Sequence, residues 1–112
     1  MKIDSYQIQY FAGSNKAELK AFIWLFDEKN DSAGDIKFYN NPDHIPPQDT
    51  MSHAGFISCH LTADRYAEVV DLLRNEGPIF LHFSETQDLA YLSTAAEPVG
   101  EGELHHIYDK MK

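Results

Sequence analysis

Six histidines in a chain of 112 residues carry its widest chemical reach: His44, His53, His60, His82, His105 and His106. Imidazole is a common metal ligand and titrates near neutral pH. A metal site needs several such groups to converge, commonly with Asp or Glu. Asp43, His44, Asp49 and His53 fall within Asn40–Ala54, just ahead of His60. From this set His44, Asp49, His53 and His60 are the candidate metal ligands. Neither H-E-x-x-H nor a paired C-x-x-C is present, so the first expectation is no cofactor, with a transition metal as the lesser alternative. The adjacent pair His105-His106 is poorly placed to chelate one ion and reads as exposed.

A second constellation depends on strand alternation. Phe56, Ser58 and His60 share one face of a strand, and Phe80, His82 and Ser84 share one face of another. If those strands are neighbours, Phe56, Ser58, His60, Phe80 and His82 make an aromatic-walled surface with a few polar groups, the character of a ligand site. Cys59 is the single cysteine. It points away from His60 and His82 and stands in phase with Ile57 and Leu61, so it reads as a small buried apolar residue rather than a nucleophile. There is no G-x-S-x-G elbow. Gly100-Glu101-Gly102 carries an acid that repels phosphate. No catalytic set is identified, and whether the chain is an enzyme stays open.

The elements that position these residues centre on Gly55 to Ser84, read as strand, helix, strand. Tyr66, Val69, Val70 and Leu73 recur at the helical period. Thr62 is the expected N-cap, with Asp64 favoured in the first turn. Gly77 is expected to end the helix in a left-handed conformation, with Pro78 after it. The two flanking strands are expected to be parallel neighbours joined by a right-handed crossover. Ahead of this unit, Ile3–Phe11 alternates as a half-buried strand. The stretch Ala17–Phe26 fits either element; Leu19–Asp27 is read as a strand forming a long hairpin with Asp35–Tyr39, against a helical alternative in which Asn15 and Glu18 would make a capping box. Leu89–Ala95 is a last strand, antiparallel to its predecessor. The fold expected is α+β: a mixed, mostly antiparallel sheet of about six strands with one main helix, in the order β-β-β-β-α-β-β, or a curved roll. Residues 1–96 form one domain. Residues 97–112 read as a polar tail with a short docking helix around Leu104, Ile107 and Tyr108 as an alternative.

Composition narrows the partners. The net charge is −9, from 18 acidic against 9 basic residues, and no two of the Lys and Arg are adjacent. Nucleic acid and anionic membranes are therefore disfavoured. The apolar run Ala21–Phe26 is too short to cross a bilayer, and MKIDSYQIQY has no signal-like apolar stretch. The unpaired cysteine and missing signal lead to the expectation of a cytoplasmic protein. Seven Phe, six Tyr and one Trp are many for a domain with one helix. Phe22, Trp24 and Phe26 alternate with Ala21, Ile23 and Leu25, a pattern that expects cover on both faces. The leading expectation is a non-catalytic domain that works by self-association, as a homodimer, or by binding another protein. The alternative is a small-molecule or metal-binding protein, or an enzyme. Its site would lie on the open sheet face near His60 and His82, under the loop 40–54.

Overall fold

The computed structural model describes residues 1–13, 17–96 and 99. Along them run β1 (Lys2–Ile3), β2 (Ser5–Tyr10), β3 (Leu19–Phe26), β4 (Ser32–Tyr39), β5 (Thr50–Met51), β6 (Ile57–Thr62), α1 (Tyr66–Asn75), β7 (Ile79–Ser84) and β8 (Leu89–Thr94). Short 3₁₀ turns occupy Pro42–His44 and Ala63–Arg65. The fold is α+β with one main helix. Its six long strands and the helix keep the order β-β-β-β-α-β-β, and β1 and β5 are two-residue additions. The strands divide into two sheets, ordered β1-β7-β8 and β2-β3-β4-β6-β5. Every pairing among the described residues is antiparallel except that of β4 with β6.

Residues 19–26 are strand because their alternation is used in full. Ala21, Ile23 and Leu25 are 0% exposed, whereas Phe22, Trp24 and Phe26 stay half-buried on the other face. The hairpin to β4 is closed by Asp27, whose Oδ1 accepts the Lys29 and Asp31 amides at 2.9 and 3.0 Å. Asn30 takes the left-handed conformation there (φ 64°), which Asn tolerates better than most residues.

The expected parallel pairing of the two helix-linked strands is not observed. β6 runs parallel to β4, with Ile36 beside Cys59 and Lys37 beside His60. β7 lies in the other sheet between β1 and β8. The physical reason is that alternation specifies which face is buried but not which strand lies alongside. Ile57 on β6 and Ile79 and Leu81 on β7 do enter one core, from two different sheets.

The helix buries the face that its periodicity marks. Leu73 is buried, and Tyr66, Val69 and Val70 pack against the core. The Tyr66 ring meets Phe38 edge-on at 5.2 Å and Tyr10 at 5.5 Å. Both helix ends differ from expectation. Thr62 caps the 3₁₀ turn that leads into α1, and its hydroxyl donates to the Asp64 carboxylate rather than accepting from a helix amide. Gly77 is not left-handed. The helix stops at Asn75, Glu76 is extended, and the Gly77–Pro78 peptide is cis. Asn15 of the expected capping box lies outside the described residues. So do Gly100-Glu101-Gly102, Leu104, His105-His106, Ile107 and Tyr108 of the tail. No described helix is long and apolar enough to cross a membrane.

Two close contacts hold the sheets together. At Gly34 a Cβ would collide with the Ile57 carbonyl oxygen and come within 2.9 Å of Leu81 Cδ2, so β4, β6 and β7 approach as they do only because no side chain intervenes. Further along, Asp49 spans the gap between sheets. Its Oδ1 accepts the His60 amide of β6 at 2.8 Å, and its Oδ2 accepts the Ala90 amide of β8 at 2.9 Å. The Asp49 amide in turn donates to the Asp88 carbonyl at 3.1 Å. Asp49→Asn keeps the shape but turns one acceptor into a donor facing a donor. The expected cost is about 1.5–3 kcal/mol, read as a lower urea midpoint, and an unchanged midpoint would remove this clamp from the account.

Candidate functional site

The face of the five-stranded sheet opposite α1 carries the richest mixture of side chains. Cross-strand register places Trp24 beside Asp35 and Phe22 beside Lys37. It then places Asp35 beside Ser58, and Lys37 beside His60. Phe11 extends the aromatic row, its ring 5.9 Å from Phe22, which meets Trp24 at 5.0 Å. Ser58, His60 and, by alternation, Phe56 thus share this face. Phe80 and His82 do not. They sit on the outer face of the three-stranded sheet, where His82 Nε2 is 2.8 Å from Ser93 Oγ and its ring stacks on Tyr91 at 4.7 Å. The division follows from β7 joining the other sheet.

Toward the C-terminal ends of β4 and β6, Tyr39 OH lies 2.9 Å from His60 Nδ1. Burial, partly opposed by the Asp49 carboxylate, holds the His60 pKa below its ordinary 6.5. Burial also raises the Tyr39 phenol, with Asp35 and Glu18 adding to the effect. Both groups are therefore neutral at pH 7. In the tautomer with its hydrogen on Nε2, the imidazole accepts the phenol proton at Nδ1 and offers Nε2–H outward. Asp35 is 7% exposed, and among the described residues its Oδ1 has no hydrogen-bond partner. A buried carboxylate oxygen without a donor is uncommon in folded proteins. Asp35, Lys37 and Tyr39 escape a reading of the sequence because only the parallel pairing of β4 with β6 brings them beside Ser58 and His60. Their alternation on one strand is the single signal that the sequence holds.

The four metal candidates serve separate ends. Asp49 spends both oxygens on backbone amides. His44 Nδ1 pairs with Glu18 Oε1 at 3.0 Å, both side chains being more than half exposed. His53 lies in the exposed turn before β6, and His60 faces Tyr39. Among the described residues no three His, Cys, Asp or Glu form a group able to hold a metal ion.

Cys59 lies on the opposite side of β6. Burial, with help from Asp49 and Asp35, pushes its thiol up to about 12, so it is protonated and a poor nucleophile at neutral pH. It lines an apolar cleft of about 260 Å³ with Leu61, Val69, Leu72, Leu81 and Leu92. This cleft offers shape but little that orients a ligand, whereas the Tyr39–His60 face offers an acceptor, a cation, a hydroxyl and aromatic rings together.

The lowered His60 pKa has a definite sign in stability. The unfolded chain takes up the proton first, so stability falls as pH drops through about 6.5 and levels off once folded His60 also protonates. Comparing unfolding midpoints at about pH 7.5 and about pH 5.5 should show this loss, and His60→Gln should lose less over the same interval. Equal losses in the two proteins would show that His60 is not the group responsible.

No protein-family model, curated protein or solved structure matches this chain.

Proposed function

We propose that this chain is a non-catalytic association domain that binds a second copy of itself or another protein through the outer face of its five-stranded sheet and the β2 edge that borders it. One observation carries the reading: the aromatic row Phe11, Phe22 and Trp24 runs along that face next to β2, with Phe11 42% exposed. Clustered apolar surface of this kind marks interaction sites, and aromatics are enriched at the cores of protein interfaces. The protonated, unreactive thiol of Cys59 fits a domain that associates rather than reacts. A lone thiol in that state is also compatible with a reducing compartment such as the cytoplasm. Light scattering on untagged protein should give a mass near twice 12.8 kDa. A mass of one chain at every concentration, with no binding of an apolar-surface dye, would overturn the reading.

A second reading, a small-molecule site on the same face, is favoured by the Tyr39–His60 pair beside an Asp35 oxygen that has no partner among the described residues. Trp24 is the only tryptophan and is paired in register with Asp35, so it reports on this site directly. A ligand held there should change Trp24 emission, and His60→Gln should weaken that response. A panel of small polar molecules and divalent metals that leaves the emission untouched would set this reading aside.

A further inference from the structure

Among the described residues the two sheets have four edges, and three of them are guarded. β1 and β5 are only two residues long. β8 has its Ala90 amide already taken by the Asp49 carboxylate. β2 has none of these protections. It is six residues long and lies at the end of the five-stranded sheet. Its sequence SYQIQY carries no charge and no proline, and it continues uncharged into Phe11, Ala12 and Gly13. Natural edge strands are usually blunted by lysine, proline, bulges or short length, because bare backbone N–H and C=O groups recruit another strand. In a chain of net charge −9, an uncharged edge is also where a second copy meets the least repulsion.

We infer that two copies of the chain pair antiparallel through β2, about a two-fold axis at Ile8, so that two five-stranded sheets become one continuous sheet. This rests on the association reading above and specifies its partner and geometry. The register follows from the pleat. Opposed residues must point to the same side, so the axis falls on a residue and not between two. At Ile8 it sets Tyr6 against Tyr10, Gln7 against Gln9 and Ser5 against Phe11. That register covers the two aromatics most exposed along this edge, Tyr10 at 52% and Phe11 at 42%. An axis at Gln7 would instead set the charged Asp4 against Tyr10. Isologous contacts of this kind are how most homodimers close. With the axis normal to the sheet, the outer faces of both copies look the same way. The two Trp24 rows then flank a central band made of β2 from each copy.

Charges placed on the exposed outer side of β2 test this without disturbing the core, since Gln7 and Gln9 are both exposed. The double variant Gln7→Lys with Gln9→Lys sets lysine against lysine twice across the axis, and should weaken the dimer by about tenfold in sedimentation equilibrium. Two added lysines move the net charge from −9 to −7, which lessens overall repulsion, so any loss is local to the edge. Gln7→Lys with Gln9→Glu sets opposite charges across the same axis and should keep the dimer at least as tight as the parent. Loss in both variants would place the axis on Gln7 or Gln9, where the charge introduced in one copy meets the same charge in the other, and would overturn the stated register. A dimer indifferent to both would overturn pairing through β2 while leaving association by another surface intact. A parent protein that is monomeric throughout would remove the association reading and this inference with it.

Discussion

One carboxylate hydrogen-bonds to both sheets. Asp49 lies between two sheets whose strands pair only within their own sheet, and it accepts one amide from each. It does with two oxygen atoms what a strand would do with a run of peptide groups. A charge-assisted bond to backbone is stronger than a neutral one, and a carboxylate can serve two donors at once. The same placement has electrostatic consequences. The charge of Asp49 disfavours a thiolate at Cys59 and partly offsets the burial that lowers the His60 pKa. A residue that by composition looks like a metal ligand is thus structural, and its charge acts, second to burial, on its neighbours on both faces of β6.

Around this clamp the division of the faces follows from packing. Ala21, Ile23, Leu25, Ile36 and Phe38 turn inward, where they meet α1 and the second sheet, and are almost fully buried. The opposite face of the same strands is left with rings, a lysine, a buried carboxylate and the Tyr39–His60 pair. Among the described residues, one helix and a small second sheet cover one side of the five-stranded sheet. The excess of aromatic residues in the composition therefore reappears as half-buried Phe22 and Trp24 beside the β2 edge.

Much of this is legible in the residues, and the parts that are not share a cause. The alternation in AFIWLF and the period of Tyr66, Val69, Val70 and Leu73 are local patterns, and each points to the right element with the right face buried. The same reasoning puts Ser58 and His60 together, as the structure does. The hairpin neighbours, β3 with β4 and β7 with β8, are also as read, and what fails is the inference of a neighbour across the helix. His82 reads as adjacent to His60 because a helix joins their strands, yet the crossover leads into a second sheet. Asp35 and Tyr39 escape notice because their proximity to His60 arises from a parallel pairing of strands far apart along the chain. Asp49 looks like a ligand because sequence shows its type and not its bonds. Gly34, by contrast, leaves no signal at all, since close approach of three strands is visible only in space.

The pairing of β1 with β7 has a consequence for how the chain is made. Met1 exchanges backbone hydrogen bonds with Leu81, its amino group donating to the Leu81 carbonyl at 3.2 Å and its carbonyl accepting the Leu81 amide at 2.8 Å. These residues are made before β7 and find their partner only once it has emerged, and Asp49 likewise waits for Ala90. The five-stranded sheet, complete by Thr62, can assemble first on the nascent chain, with its inner face uncovered until the helix and the second sheet arrive. The second sheet then acts as a latch that closes last. A ribosome-bound fragment ending before β7 would carry the β2 edge and the bare core face together.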